Sequence, residues 1–185
     1  MTLRSLVLGI VAAGAVSFYP AHGVWLEARA QSPEEAAIAK QLTGMWRLVS
    51  FQQRLADGTT RQNPLSVGYI VYADVGRMCY VSMDPDRPKW NMGGKRDPVG
   101  YAPTPDEASS AIAGLGAYCA AVEVHAKEGF VLHRVEVDRI PNMVGATRKR
   151  WFTFEGPDRV VLTVDPAENT PPVVETRLTW ERVPK

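Results

Sequence analysis

His133 is the leading candidate for a side chain with a chemical role in this protein. It falls in the strand-like run Phe130–Val137, where successive side chains point to opposite faces of a sheet. One face of this run carries Val131, His133, Val135 and Val137, and it is the more apolar of the two. We therefore expect His133 to point into the core together with these three valines.

Two arginines and a tyrosine join His133 when the same alternation is applied to neighbouring runs. In Thr147–Phe154 the odd-numbered residues form the more polar face, so Arg148 and Arg150 on the other face are expected to point inward. In Ala117–His125 the apolar face includes Tyr118 and leaves the cysteine of that run outside. The sequence thus predicts an apolar interior with a polar minority.

Tyr118, His133, Arg148 and Arg150 are therefore the candidate ligand-binding residues. No inward position assigned in this way supplies a carboxylate, and arginine is rarely buried unpaired. Such an interior could accommodate a ligand with an acidic or carbonyl head group. A second interpretation stays open, in which the histidine is a satisfied core residue and the arginines reach solvent past the rim.

Signals for other functional classes are missing. Without the first 30 residues only His125 and His133 remain, on opposite faces, so we expect no metal site. No phosphate-binding loop, dinucleotide fingerprint or nucleophile elbow is present, so we expect no cofactor and assign no catalytic residue. The formal charge of +1, which falls to zero without residues 1–30, disfavours nucleic-acid binding.

The elements that must position these residues are strands with short links. Turn signals separate eight runs, which predicts an all-β fold, an antiparallel up-and-down barrel of about eight strands. The runs are Trp46–Gln53, Gly68–Ala73, Arg77–Met83, Ala117–His125, Phe130–Val137, Thr147–Phe154, Arg159–Val164 and Thr176–Val183.

The two ends of this run of strands match each other. Gly44 and Trp46 open the first strand, and Trp180 and Arg182 close the last. A small residue, two indoles and a guanidinium can meet only if the sheet curls round, with the cation over an indole face. We expect these four closure residues to hold the barrel shut at one end.

One connection is long. Asp84–Pro105 is rich in proline and glycine, and a short helix is expected to follow over Asp106–Ala113. A long loop in a compact domain is often functional, so this one could cover a barrel mouth with Trp90 and Met92 as apolar plugs. A surface loop without a role is the alternative.

The N-terminus has the pattern of a secretory signal peptide over residues 1–30. Arg4 precedes the apolar stretch Leu6–Phe18, and Ala28-Arg29-Ala30 predicts cleavage after Ala30. An earlier cut after Gly23, or an uncleaved membrane anchor, are the alternatives. We expect an exported protein, periplasmic or secreted, with an N-terminal helix over 31–41, a barrel domain over 42–185 and no membrane span after cleavage.

Export changes the interpretation of Cys79 and Cys119. In an oxidising compartment the two can pair, and their runs would be neighbours in a meander. Two buried free thiols are the alternative. The sequence leaves the bridge and the oligomeric state open.

Several segments together resemble the lipocalin-like domain family, which is found in bacteria and some fungi. The resemblance runs from about Leu42 to Val183, and it implies a calycin-type β-barrel without implying an activity. The family's recurrent histidine, asparagine and arginine positions correspond to His133, Asn142 and Arg150, and the cysteines depart from its usual residues. The segments are Leu42–Phe51, Gly68–Tyr72, Gly76–Met78, Tyr118 with Val122–Val124, His133–Val135, Pro141–Gly145, Arg150–Phe152 and Leu178–Arg182.

Three functional hypotheses follow. The first is an exported barrel that binds a small, largely apolar ligand with an acidic or carbonyl head group. The second is an isomerase or cyclase that uses His133 as acid or base and Arg150 to stabilise an oxyanion. The third is a structural or interaction module whose interior is packed.

Overall fold

Two short helices accompany the sheet of this protein. The computed structural model describes residues 31–93 and 100–184, so the predicted signal peptide lies outside the described residues. The helices are α1, Pro33–Leu42, and α2, Pro105–Ala113, and each begins with a capping box, from Ser32 and Thr104 respectively. Neither helix, nor any other in the described ranges, has the length and apolarity needed to cross a membrane.

Nine strands form one antiparallel sheet, and eight of them close into a barrel. Each of the eight pairs with its neighbour in the chain, and β1 pairs with β9 to complete the ring. The predicted up-and-down barrel is therefore confirmed, and the short β2, which pairs along β1, is an addition to it. The strands are β1 Gly44–Leu55, β2 Thr60–Gln62, β3 Val67–Ala73, β4 Arg77–Met83, β5 Leu115–His125, β6 Phe130–Asp138, β7 Thr147–Phe154, β8 Arg159–Val164 and β9 Val173–Arg182.

The barrel has a plugged end and an open end. Because consecutive strands are antiparallel, the tight turns at 74–76, 126–129 and 155–158 share one end, and the longer links at 84–114, 139–146 and 165–172 share the other. Helix α1 joins β1 at the first end, where Leu42 and Trp46 are fully buried. We call the first the plugged end and the second the mouth.

Contacts at the plugged end join helix α1 to the barrel wall. The Arg182 guanidinium lies 4.0 Å from the centroid of the Trp46 ring. It donates to the carbonyl oxygens of Thr43 at 2.9 Å and Gln41 at 2.7 Å, while the Trp46 indole N–H donates to that of Leu42 at 2.7 Å. Three carbonyls that the end of a helix leaves without intrahelical partners are thereby satisfied, partly by a cation that suits the helix dipole.

The other two closure residues have different positions. Gly44 has a φ of +128°, and a Cβ built there would lie 2.9 Å from an Arg182 nitrogen, so this site needs glycine. Trp180 lies deeper in the barrel, opposite Leu48 in register, with its ring edge-on to Tyr80 at 6.0 Å between centroids. Trp180 therefore belongs to the interior wall more than to the plug.

A β-bulge near the end of β6 overturns one prediction. Val135 and Val137 pair with consecutive residues of β5, which leaves Glu136 without a partner in the register. The extra residue reverses the alternation after Val135, so Val137 is 62% exposed and lies outside the barrel, contrary to expectation. The same reversal turns the side chain of Asp138 inward, where it is 3% exposed.

Cys79 and Cys119 form a disulfide between β4 and β5. They are direct partners in register, and both point to the outer face of the barrel, between wall residues that point inward. Thiols buried in the core, the alternative interpretation, are therefore not found.

The long loop does not place its aromatic residue in the barrel. The Trp90 indole N–H donates to the Glu107 carbonyl oxygen of α2 at 3.2 Å, and its ring packs against Tyr101. Neither Trp90 nor Met92 is among the residues that line the central cavity. The idea that these two plug the mouth is not supported, and residues 94–99 lie outside the described residues.

Candidate functional site

The barrel holds a cavity of about 630 Å³ on the mouth side of its interior. Its wall contains all four residues predicted as ligand-binding, Tyr118, His133, Arg148 and Arg150. The strands β5, β6 and β7 carry them side by side, because His133 is the register partner of Arg148. The remaining wall is mainly apolar and includes Phe51, Ile70, Leu162, Val164, Leu178 and Trp180.

A chain of hydrogen bonds leads from the packed half of the barrel to this cavity. The Tyr72 hydroxyl is 3.0 Å from His133 Nε2, and the Tyr118 hydroxyl is 2.9 Å from His133 Nδ1. Tyr72 lies towards the plugged end of β3, whereas Tyr118 lies near the mouth end of β5 and lines the cavity. His133 is therefore fixed by two tyrosines, one on each ring nitrogen.

His133 is neutral in this setting. Burial lowers its pKa to about 3, and the charges of Arg150 and Arg148 act in the same direction. Its side chain is fully buried and both nitrogens are occupied. His133 thus organises the site and does not offer a free nitrogen to a ligand.

This neutral histidine makes stability depend on pH. In the unfolded chain its pKa returns to about 6.5, so below that value the unfolded state binds a proton that the native state refuses. We expect the unfolding free energy to decrease as the pH is lowered, and His133 should account for about 2 kcal/mol of the decrease between pH 6.5 and 5. Urea unfolding of the wild type and of His133→Gln at several pH values measures that share as the difference between the two slopes.

His125, on the outer face of β5, provides the matched control for that experiment. Its Nε2 lies 2.9 Å from Glu123, and its ring stacks on Phe130 at 4.4 Å. The variant His125→Gln should lose stability at low pH as the wild type does, whereas His133→Gln should lose less. Parallel slopes for His133→Gln and the wild type would show that His133 is not a buried neutral group.

Arg148 is held beside Tyr118 by a carboxylate. Its Nη2 donates to Asp138 at 2.8 Å, and its guanidinium carbon lies 4.7 Å from the centroid of the Tyr118 ring. Its Nε is buried and has no hydrogen-bond partner among the residues that the structure describes. A buried N–H without a partner is costly, so this donor would be stabilised by an acceptor placed next to it.

Arg150 is also paired with a carboxylate. Its Nη1 donates to both oxygens of Glu168, at 2.9 and 2.8 Å, and to the carbonyl oxygen of Lys149 at 2.6 Å. Glu168 belongs to a short 3-10 turn, Pro166–Glu168, in the link from β8 to β9. The expectation that the inward arginines have no matching acid is therefore wrong, because the bulge supplies Asp138 and this link supplies Glu168.

Tyr80 and Gly116 also line the cavity and were not predicted, and Ser82 lies next to them. Tyr80 lies beside Tyr118, with ring centroids 5.3 Å apart, and its hydroxyl is hydrogen-bonded to Ser82. Gly116 makes room for Tyr80 and Ser82, since a Cβ at this position would lie 3.1 Å from atoms of both side chains. Alternation along Arg77–Met83 groups Tyr80 with Ser82, and this signal could have identified them.

Trp180 adds a second donor to the wall. It lines the cavity, and its indole N–H is buried without a hydrogen-bond partner in the described ranges 31–93 and 100–184. The wall therefore contains two unsatisfied N–H groups, from Arg148 and Trp180, and no buried side-chain acceptor in the same condition among the described residues.

Two other expectations concern residues away from this wall. Asn142, a recurrent family position, is exposed in a 3-10 turn, Pro141–Met143, and is not among the lining residues. Within the described part of the chain, no group of three or more histidine, cysteine, aspartate or glutamate side chains could hold a metal ion.

The fold and this wall can be compared with known proteins. A family model described as a lipocalin-like domain matches residues 43–183, a range that contains all nine strands. No curated protein matches the chain. The match agrees with the resemblance found in the sequence, and it spans every strand that lines the cavity. This chain belongs to the lipocalin-like domain family.

Proposed function

We propose that this protein binds a small, largely apolar molecule with an acidic or carbonyl head group in the barrel cavity. The observation that carries the proposal is that Arg148 lines a 630 Å³ cavity while its buried Nε has no hydrogen-bond partner among the described residues. Apolar side chains from β1, β3, β8 and β9 would bury the body of the ligand. Arg148 and Tyr118 would contact its head group.

The charge of the wall supports an acceptor head group. Both arginines predicted from the sequence have a carboxylate partner, so a ligand need not neutralise either of them. Two more arginines, Arg61 and Arg139, line the cavity, and among the described residues the lining contains no carboxylate besides Asp138 and Glu168, so this part of the wall is positive. A positive wall with unsatisfied donors favours a carbonyl or a carboxylate over an amine.

The alternatives have less support. An isomerase that uses His133 as acid or base needs a free nitrogen, and both are bonded to tyrosines. A packed structural module needs a filled interior, and the cavity beside His133 is at odds with that.

Export to the periplasm or the medium is the compartment we propose. The disulfide between Cys79 and Cys119 supports it, because such bridges persist in oxidising environments. The predicted cleavage after Ala30 would release the chain that begins one residue before the Ser32 cap.

Native mass spectrometry of the protein purified from its own cell envelope tests ligand and export together. We expect a bound molecule of small mass that dissociates when the protein is unfolded. We also expect the mass of the protein to be that of a chain whose first residue is Gln31. A protein that carries no small molecule and binds no apolar probe would contradict the proposed binding function. A chain mass that includes residues 1–30 would contradict cleavage.

Arg148→Lys tests the head-group contact directly. Lysine keeps the charge beside Asp138 but removes the Nε donor. We expect roughly ten-fold weaker binding of dodecanoate, the loss of one charge-assisted hydrogen bond. Displacement of the fluorescent probe N-phenyl-1-naphthylamine measures this.

The controls for this variant separate the head group from the cavity. Affinity for N-phenyl-1-naphthylamine itself should not change, since it reports the apolar wall. Arg47→Lys, on the exposed outer face beside Glu181, should bind dodecanoate as the wild type does. Equal dodecanoate affinity in Arg148→Lys and the wild type would contradict the role of Nε.

A further inference from the structure

The hydrogen atoms in the chain of Tyr72, His133 and Tyr118 can be placed by counting donors and acceptors. A neutral imidazole carries one N–H donor and one acceptor nitrogen, and each tyrosine hydroxyl can donate once. The hydroxyl of Tyr72 has His133 Nε2 as its hydrogen-bond partner, and that of Tyr118 has His133 Nδ1. No other hydrogen bond of either hydroxyl occurs among the described residues, so two arrangements are possible.

In the first arrangement Tyr72 donates to Nε2, and Nδ1–H donates to the oxygen of Tyr118. The Tyr118 proton is then free to point into the cavity, which Tyr118 lines. In the second arrangement Tyr118 donates to Nδ1, and Nε2–H donates to the oxygen of Tyr72. The proton of Tyr72 is then left without an acceptor.

The position of Tyr72 decides between the two arrangements. It is 4% exposed, is absent from the cavity lining, and lies towards the plugged end, where Trp46 and Leu42 are packed. A donor proton without an acceptor is costly in such a place. At Tyr118 the same proton faces a cavity that can hold water or a ligand, so the first arrangement is favoured.

We propose that Tyr72 is a positioning residue that acts through His133 to make Tyr118 a hydrogen-bond donor to the ligand. The inference rests on the proposed function and deepens it. Together with Arg148 Nε and Trp180 Nε1, the Tyr118 O–H gives the wall three donors, while the lining carboxylates Asp138 and Glu168 are paired with Arg148 and Arg150. The ligand class that fits is one whose head group only accepts, a ketone, an aldehyde or an ionised acid, in preference to an alcohol of the same shape.

The preference over an alcohol has a simple cause. An alcohol that accepts from Tyr118 keeps its own proton, and the two carboxylates of the described lining, Asp138 and Glu168, already accept from Arg148 and Arg150. A ketone has no such proton. The alcohol therefore needs an acceptor that the ketone does not need, and size plays no part in the discrimination.

The first measurement is the tautomer of His133 in the ligand-free protein. Nitrogen NMR of protein labelled with ¹⁵N-histidine distinguishes a protonated Nδ1 from a protonated Nε2. We expect Nδ1–H for His133, and His125→Gln assigns the other signal of the barrel domain. In Tyr72→Phe the donation to Nε2 is lost, so the His133 signals should shift towards a mixture of tautomers. A wild-type protein with Nε2–H overturns the proposal whatever its ligands do.

The second measurement uses a matched pair of ligands, 2-undecanone and 2-undecanol, which displace N-phenyl-1-naphthylamine. We expect the wild type to prefer the ketone roughly ten-fold, and Tyr72→Phe to bring the ratio towards one. Tyr118→Phe should do the same by removing the donor, and it replaces Tyr72→Phe if that variant does not fold. Tyr69→Phe, on the outer face of β3, is the control that should keep the wild-type ratio.

The outcomes separate the two proposals. Displacement by both ligands with equal affinity in the wild type overturns the donor assignment and leaves the proposed binding function intact. Displacement by neither ligand, nor by dodecanoate, overturns the proposed function and the ligand preference with it. An unchanged ketone preference in Tyr72→Phe shows that Tyr72 does not set the donor.

Discussion

Replacing Trp46 with alanine should lower the unfolding free energy by about 3–5 kcal/mol, the range for large aromatic residues removed from a core. Trp46 is fully buried, carries the Arg182 guanidinium on its face and donates to Leu42. Its loss opens a void at the plugged end and leaves the Leu42 carbonyl without that donor. Urea unfolding followed by circular dichroism measures the change.

Two variants separate the packing of Trp46 from its hydrogen bond and from tryptophan content in general. Trp46→Phe keeps most of the ring and loses the indole donor, so a loss of about 1 kcal/mol is expected. Trp151→Ala, on the outer face against Phe130 and Lys149, should cost under about 1 kcal/mol. If Trp46→Ala were no more destabilising than Trp151→Ala, the plugged end would not be a packed core.

Removing the disulfide with the double substitution Cys79→Ala and Cys119→Ala should cost about 3–4 kcal/mol, the loop-closure value for about 40 residues. The bridge joins direct register partners of β4 and β5, so the folded state needs little adjustment without it. Most of the effect is expected in the unfolded chain, which gains freedom. Equilibrium unfolding in urea, compared between the oxidised wild type and the variant, measures the loss.

Reduction of the wild type provides the matched comparison. Dithiothreitol should bring the wild type close to the stability of the double variant, and it should not change the double variant at all. If the reduced and oxidised wild-type proteins unfold at the same urea concentration, the bridge does not constrain the unfolded chain.

Alternation within single strands made much of the interior predictable. His133, Arg148 and Arg150 follow from period two within uninterrupted strands, and all three line the cavity. The closure of the sheet followed from the matching residues at its two ends, since Trp46 and Arg182 are register partners. These signals are local, or depend only on the order of the strands.

The carboxylate partners were not predictable in the same way. Asp138 points inward only because a bulge at Glu136 reverses the alternation, and a bulge is set by the pairing of two strands. Glu168 reaches Arg150 from a link between strands, so its contact depends on tertiary structure. The sequence therefore predicted two unpaired arginines, whereas in the structure each has a carboxylate partner.

The packing of the plugged end affects the direction in which the Tyr118 hydroxyl proton points, further along the barrel. Trp46, Leu42 and the Arg182 contacts fill the end of the barrel towards which Tyr72 lies. A water molecule admitted there could accept the Tyr72 proton, and His133 would then lose its bias between tautomers. Keeping that half dry is thus what gives the hydrogen-bond chain its orientation. A mutation that loosens the plug should blur the distinction between ketone and alcohol without touching the cavity wall.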